Sequence, residues 1–293
     1  MPEKVSVVIN TFNEERNIKR AIESVKWTFE IIVCDMHSSD ETSKIAKEFG
    51  AKVVTCKKLD YVEPARNYAI SKAVGDWILI LDADEEIPTE LAKRLQEIAQ
   101  NETKVNFVEI PRKNIIFGKG LTATGWWPDN HIRFFKKGTV IWKNEIHSKP
   151  ETRGVGLTLD SEEKWAIIHH NYQTIFQFIE RMNRYTTVQA KEMKKSGYSF
   201  IWQDLFEKPI NEFLSRYFAN KGYKDGLHGL SLSLLQAFSF LVLYLKIWDM
   251  EGFKEESIEI EEFKIESKKV GNVFKHWVNE KNKLKGIFKI FKR

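Results

Sequence analysis

Asp82-Ala83-Asp84 stands at the end of an apolar run, Trp77–Leu81 (WILIL). Two carboxylates one residue apart can hold a divalent cation, Mg2+ or Mn2+, through oxygen ligands. Such an ion can bridge diphosphate oxygens. A nucleotide-sugar is therefore a fitting ligand, because its leaving group departs as a charged nucleoside diphosphate. Acidic strand-end loops are common, and the position directly after WILIL is what gives this pair weight. Asp35 ends a second apolar run, Ile31–Cys34, with Ser38, Ser39 and Asp40 close behind. These oxygens suit a base or ribose edge, and Asp40 equally suits a helix cap. Asp129, in Trp126-Trp127-Pro128-Asp129, is a loop carboxylate beside rings that can stack on sugar faces. It fits a general base and also fits a simple turn residue. His147 is a candidate further metal ligand. Arg66 and Arg133 can neutralise a diphosphate or form surface ion pairs. His169-His170 ends an apolar run and reads as packed.

Positioning these residues falls to an alternating β-α order over the first hundred residues. Val5–Asn10, Ile31–Cys34, Lys52–Thr55 and Trp77–Leu81 read as strands. Helices are expected to open at Asn13-Glu14-Glu15 and Ser39-Asp40-Glu41, and to cover Glu63–Ala73. The order predicts a Rossmann-like, mostly parallel sheet with helices on both faces. Ligands of such sheets bind beyond the carboxyl ends of the strands. That rule gathers Thr11, Asn13, Asp35, Asp82 and Asp84 along one edge. Val105–Pro111, Ile132–Lys136 and Ala166–His169 read as later strands, with a loop or hairpin over Phe117–Trp127. From Thr174 the spacing is helical.

Composition is that of a globular protein, with 42% apolar and 30% charged residues. The two cysteines, Cys34 and Cys56, have neither zinc nor disulfide-framework spacing and fit a reducing cytoplasm. The chain opens into a strand without the charged and apolar regions of a signal peptide. Residues 226–245 carry no Asp, Glu, Lys or Arg, which borders on spanning length. Serines and Gln236 interrupt this segment, so an interfacial or buried helix is expected. Segment 251–267 is acidic and leaves strand, helix and linker open. Lys268–Arg293 is basic and suits an anionic surface, phospholipid or nucleic acid, or a solvated tail, and its end, Lys285–Arg293, reads as a basic amphipathic foot.

Several stretches together resemble family 2 glycosyltransferases. They are VSVVINTFNEERNI (5–18), IIVCDMHSSDET (31–42), PARNYAI (64–70) and WILILDADEEI (77–87). GWWPDNHIRFF (125–135), EIHSKPE (145–151), the run 169–190 and KGYKDGLHG (221–229) are similar to a lipopolysaccharide-core β-1,4-glucosyltransferase subgroup. The resemblance implies a GT-A fold. It places Thr11, Asn13 and Glu14 beside the nucleotide with Asp35, and Asp82 near the ribose and diphosphate. It puts Asp84 on Mg2+ or Mn2+, His147 near the metal or diphosphate, and Asp129 at the catalytic base. Met36-His37-Ser38-Ser39 departs from the family's Ser-Gly or Gly-Ser, which puts the geometry of that loop in question.

The expected protein is an inverting, metal-dependent glycosyltransferase. It takes a nucleotide-sugar, UDP-linked by resemblance, and glycosylates a saccharide or glycolipid acceptor. The expected organisation is a catalytic domain over 1–172, a helical membrane-associating region over 173–250 and a tail over 251–293. The expected place is the cytoplasmic face of the cell membrane, peripheral or monotopic, on anionic lipid and with no nucleic-acid partner. A nucleotidyltransferase would want an early Gly-rich phosphate loop, and 10–18 contains no glycine. A non-catalytic membrane or nucleic-acid binder would leave the strand-end carboxylates unexplained.

Overall fold

The computed structural model describes residues 3–56, 63–142 and 150–280. The chain divides into two compact units, 1–116 with 126–171, and 117–125 with 172–293.

In the first unit β1 (Val5–Thr11), α1 (Ile18–Ser24), β2 (Glu30–Asp35), α2 (Thr42–Glu48), β3 (Lys52–Thr55), α3 (Glu63–Ser71) and β4 (Trp77–Asp82) follow one another as expected. β5 (Glu85–Glu86), α4 (Thr89–Asn101), β6 (Val105–Ile110) and β7 (Arg112–Ile116) come next. β8 (Lys119–Gly120) belongs to the second unit. β9 (His131–Lys136), β10 (Val140–Ile141), β11 (Glu151–Thr152), β12 (Val155–Thr158) and β13 (Ile167–His170) complete the strands. The main sheet runs β12-β6-β9-β4-β1-β2-β3. β1, β2, β3 and β4 are mutually parallel, and β9 is antiparallel to β4 and β6. β13 pairs antiparallel with β5 and parallel with β7.

Side chains alternate across the strands, so β1 feeds two cores. Val7 and Ile9 pack with Ile18, Ile22, Leu91 and Leu95 from α1 and α4. Val8 packs on the other face with Ile32, Ile80, Ala69 and Ala73 on the α3 side. Trp77 and Phe134 stack at 4.5 Å between ring centres, tying β4 to β9. One regular step is missing. Val108 stands opposite Phe134 and Glu109 opposite Ile132, which leaves Arg133 as an extra, bulged residue of β9.

Asn13 does not open a helix. Its φ is 55° and α1 starts only at Ile18. The reason lies in the neighbouring loop: the Asn13 amide donates to Ser38 Oγ at 2.9 Å, and Asn13 Oδ1 accepts from the Ser39 amide at 2.8 Å. His37 also takes a left-handed φ, 60°. The bulky residue thus adopts the conformation that a glycine there would supply, at a steric cost that histidine tolerates better than most residues.

The second unit is helical: α5 (Ile175–Lys195), α6 (Asp204–Leu214), α7 (Leu227–Met250) and α8 (Ile260–Glu280). The acidic segment is therefore irregular to residue 259 and helical beyond. Ala190 and Met193 of α5 pack on Leu243, Tyr244 and Ile247 of α7. Lys246 fastens the same pair of helices, donating to Asn183 Oδ1 and to the Thr186 and Thr187 hydroxyls at 2.7, 2.9 and 2.7 Å. Asp225, 1% exposed, gathers Thr122, Ala123 and Thr124 through two backbone amides and two hydroxyls at 2.7–3.1 Å. Leu227, Leu234, Phe238 and Leu245 of α7 are exposed. Their spacing of seven, four and seven residues puts them in one stripe. The basic foot, Lys285–Arg293, lies outside the described residues.

Candidate active site

Parallel strands β1, β2 and β4 end together, and the register sets Asn10 beside Asp82 and Thr11 beside Asp35. An antiparallel neighbour begins where parallel strands end. The insertion of β9 beside β4 therefore brings the chain of Asp129, His131 and Arg133 to the carboxyl edge that carries Asp82.

At the β1–β2 side, Asp35 Oδ1 accepts from the Ser38 hydroxyl at 2.6 Å and the Ser38 amide at 3.1 Å. The Glu14 amide donates to Thr42 Oγ1 at 2.8 Å, and Glu14 Oε2 accepts from Asn17 at 2.7 Å. Asp40 accepts from the Thr42 amide and hydroxyl just ahead of α2, whose N-cap is Glu41 and not Asp40. Asn10 and Thr11 are buried, yet the Asn10 amide group and the Thr11 hydroxyl have no hydrogen-bond partner among the described residues. Buried polar groups are ordinarily paired, so this edge holds unfilled bonding capacity.

From Asp82 a ladder of alternating charge runs to Asp129. Asp82 Oδ1 accepts from Arg66 Nη2 at 3.1 Å and Oδ2 from Arg133 Nη2 at 2.6 Å. Arg133 Nη2 also reaches Glu85 Oε1 at 3.0 Å, which Arg112 Nη1 meets at 3.2 Å. Glu85 is fully buried, and its Oε2 accepts from the Asp82 amide at 2.9 Å. Arg112 Nε and Nη2 both donate to Asp129 Oδ2, at 2.9 and 2.6 Å. Asn114 adds a bond to that oxygen at 3.0 Å, and His131 Nε2 lies 2.9 Å from Asp129 Oδ1.

The two aspartates of the ladder are held ionised. Burial alone would raise the Asp82 carboxyl, but the charges of Arg133 and Arg66 outweigh it and hold it well below the usual range. Burial is likewise outweighed at Asp129 by the His131 hydrogen bond and the Arg112 charge. His131 moves the other way: burial lowers its pKa, against the pull of its bond to Asp129. Burial opposes the charge on Arg133, yet Asp82 and Glu85 hold its pKa above the ordinary guanidinium value.

Asp84 is buried next to this ladder, with its Oδ2 3.5 Å from His169 Nε2. Among the described residues no three His, Cys, Asp or Glu side chains converge as a ready metal cage. The donor set still suits a hard cation that keeps waters and substrate oxygens and takes only one or two protein carboxylates. Both Asp82 oxygens are engaged by guanidinium groups, and Asp84 stands two residues on, facing His169. His147 lies outside the described residues. The guanidinium of Arg133 is turned inward on Asp82 and Glu85 and is buried, so its place is beneath the edge rather than on it. Arg66 also points at Asp82.

Sequence reasoning missed Glu85, Arg112, Asn114 and His131, and it read His169 as simple packing. His169 is buried, but its Nδ1 lies 2.6 Å from Asn114 Oδ1. The available signal was the spacing of Arg112 and Asn114, polar residues two apart that share one face of β7.

A family model described as glycosyl transferase family 2 matches residues 6–155, just over half of the chain. The chain belongs to that family. This glycosyltransferase is 32% identical over 256 residues to an uncharacterised glycosyltransferase of Rickettsia typhi, covering 84% of this chain and 87% of that one. It is 23% identical over 258 residues to the lipopolysaccharide core biosynthesis glycosyltransferase LpsC of Rhizobium meliloti, covering 85% and 94%. It aligns with a solved glucosyl-3-phosphoglycerate synthase from Mycobacterium tuberculosis, in complex with Mn2+, UDP and glucosyl-3-phosphoglycerate. That alignment has a TM-score of 0.33 and 24% identity over 40% of this chain and 45% of that one, under half its length. The α/β fold of the first unit, mostly parallel with helices on both faces, is the GT-A architecture expected from the sequence. Family membership sets aside the nucleotidyltransferase and non-catalytic alternatives.

Proposed function

We propose that this glycosyltransferase moves a sugar from a nucleotide-sugar, UDP-linked, to a lipid-linked or cell-envelope saccharide, with inversion at the anomeric carbon. The observation that carries the reading is the carboxyl edge of the sheet. Unpartnered Asn10 and Thr11 side chains lie there beside Asp35, Asp82 and Asp84. Thr11 and Asp35 would meet the nucleoside, with Asn13 and Glu14 shaping the loop around it. Asp82, fixed by Arg66 and Arg133, would stand at the ribose and diphosphate. Asp84 would hold Mg2+ or Mn2+, with His147 as the further ligand suggested by the resemblance. Bound there, the ion supplies charge to a departing diphosphate. Asp129 marks the basic centre on the acceptor side, and the transition state has oxocarbenium character.

LpsC, by its name, serves lipopolysaccharide core biosynthesis, and an envelope acceptor here fits the exposed apolar stripe of α7. That helix has a mean hydropathy of 1.8 over its best 18-residue window, with 33% of the window buried. A peripheral seat on the inner face of an anionic membrane accounts for such a face on a helix that also packs on α5.

The deciding experiment compares wild type with Asp84→Ala by melting with and without UDP and Mn2+, alongside nucleotide-sugar turnover. The variant should stay folded, lose turnover and lose the Mn2+-dependent stabilisation by UDP. Full activity of the variant, or of wild type in excess chelator, would remove the metal from this reading.

A further inference from the structure

Asp129 is a poor resting place for a proton. Its Oδ2 already accepts two bonds from Arg112 and one from Asn114, and its Oδ1 faces His131 Nε2. An ionised carboxylate can only accept hydrogen bonds, so the ring proton of His131 sits on Nε2 and Nδ1 presents a lone pair. Nδ1 has no hydrogen-bond partner among the described residues, and the side chain is 39% exposed. The ring stands at the start of β9, at the carboxyl edge that carries Asp82 through its neighbour Arg133.

From this geometry we propose that His131 Nδ1 takes the acceptor proton, with Asp129 as the positioning residue that fixes the ring and its tautomer. The inference rests on the glycosyl-transfer reading and specifies its basic atom. As the acceptor oxygen bonds to the anomeric carbon, the bond from that carbon to the diphosphate oxygen breaks. The electron pair leaves with the nucleoside diphosphate, and the hydroxyl proton passes to Nδ1. The imidazolium so formed keeps its Nε2–H on the Asp129 carboxylate, which stabilises the new charge. The charged groups around the ring are Asp129 from the preceding loop, Arg112 from β7 and Arg133 from its own strand, with Ile110 opposite on β6. Burial and the two arginines hold the ring below the ordinary imidazole pKa, against the pull of the bond to Asp129, so it is neutral and able to accept a proton at neutral pH.

The test uses the full chain, Mn2+ and UDP-glucose as probe donor, with GDP- and dTDP-linked sugars if UDP-glucose is inert. Water or an added saccharide serves as the acceptor. The wild-type rate should fall on the acid side with a midpoint below the ordinary imidazole value of 6.5. His131→Ala should lower kcat by about 10²-fold or more, the scale of a lost general base, with UDP binding unchanged. Added imidazole should restore part of that rate, which a merely structural histidine would not allow. Asp129→Asn should also be slow. Arg112 would claim the amide oxygen, the amide nitrogen would face Nε2, and the ring proton would be forced onto Nδ1. If His131→Ala fails to fold, His131→Gln and the wild-type pH profile decide in its place. A His131 variant as fast as wild type, or one whose acid-side fall matches that of wild type, overturns the assignment and returns the role to Asp129. A wild type that neither binds UDP nor releases nucleotide from any donor overturns the glycosyl-transfer reading itself.

Discussion

Glu85→Gln is the sharpest probe of the charge ladder because it changes one atom and hardly any volume. Glu85 accepts on Oε1 from Arg112 and Arg133, and on Oε2 from the Asp82 amide. A glutamine has one oxygen for these two sides. Whichever way the amide is turned, its NH2 group meets a donor, either a guanidinium or the Asp82 N–H. That clash leaves a buried donor unsatisfied, at a cost of about 1–3 kcal/mol. The substitution also removes the negative charge between two guanidinium groups at a fully buried position. Breaking a buried ion pair from one side costs roughly 3–5 kcal/mol, and the two effects overlap, so about 3–5 kcal/mol is expected in all. For a unit of this size that corresponds to a melting point lower by roughly 6–20 °C. Calorimetry of the purified variant measures it. Glu90→Gln is the control: Glu90 pairs with Lys93 on an exposed face of α4, and its loss should cost about 0.5 kcal/mol or less. If Glu85→Gln melts with wild type, the alternating guanidinium and carboxylate groups contribute nothing to the stability of the first unit.

Asp225→Ala should destabilise the second unit by about 3 kcal/mol, because two buried amides and two hydroxyls lose a charged acceptor at once. Limited proteolysis should then cut within 117–125, and an unchanged digestion pattern would count against the clamp. Leu234→Glu with Phe238→Glu, both on the exposed stripe of α7, should abolish flotation with liposomes and leave the helical circular dichroism intact. Truncation after Lys283 should weaken binding to anionic vesicles alone, by up to roughly 4 kcal/mol for four basic residues at low salt. Equal flotation of all three proteins would leave the membrane seat unsupported.

Long apolar runs made β1, β2 and β4 legible in the sequence, since a strand buried on both faces has little else to be. Their carboxyl-end residues, Asp35 and Asp82, were legible with them, because the β-α order dictates which ends converge. What the pattern could not reveal was adjacency. Nothing local in Ile132–Lys136 says that this strand inserts, reversed, between β4 and β6. The ladder was hidden for the same reason: Arg133 and Arg112 stand 48 and 27 residues from Glu85, so no window of sequence holds both partners. Asn13 misled because Asn-Glu-Glu before an apolar run is a fair helix start by composition. Its bonds to Ser38 and Ser39, made across the fold, prevailed over that local preference. Segment 251–267 stayed ambiguous because an alternating acidic stretch fits a strand and a helix start equally well, and α8 begins part-way through it.

The bulge at Arg133 changes the parity of its strand. In an unbroken strand, residues three apart face opposite ways, yet Ile132 and Phe135 pack into the same cluster. The count on β9 has been advanced by one. Residues before the bulge, His131 among them, therefore lie on the face opposite to the one that extrapolation from Phe134 and Phe135 would assign. A substitution at position 133 would alter a charge and leave this phase alone. A deletion there would remove the guanidinium and the bulge together, and Ile132, then two places from Phe135, would keep its face, as would His131. The guanidinium of position 133 is thus carried by the one residue that the pairing of β9 with β6 skips.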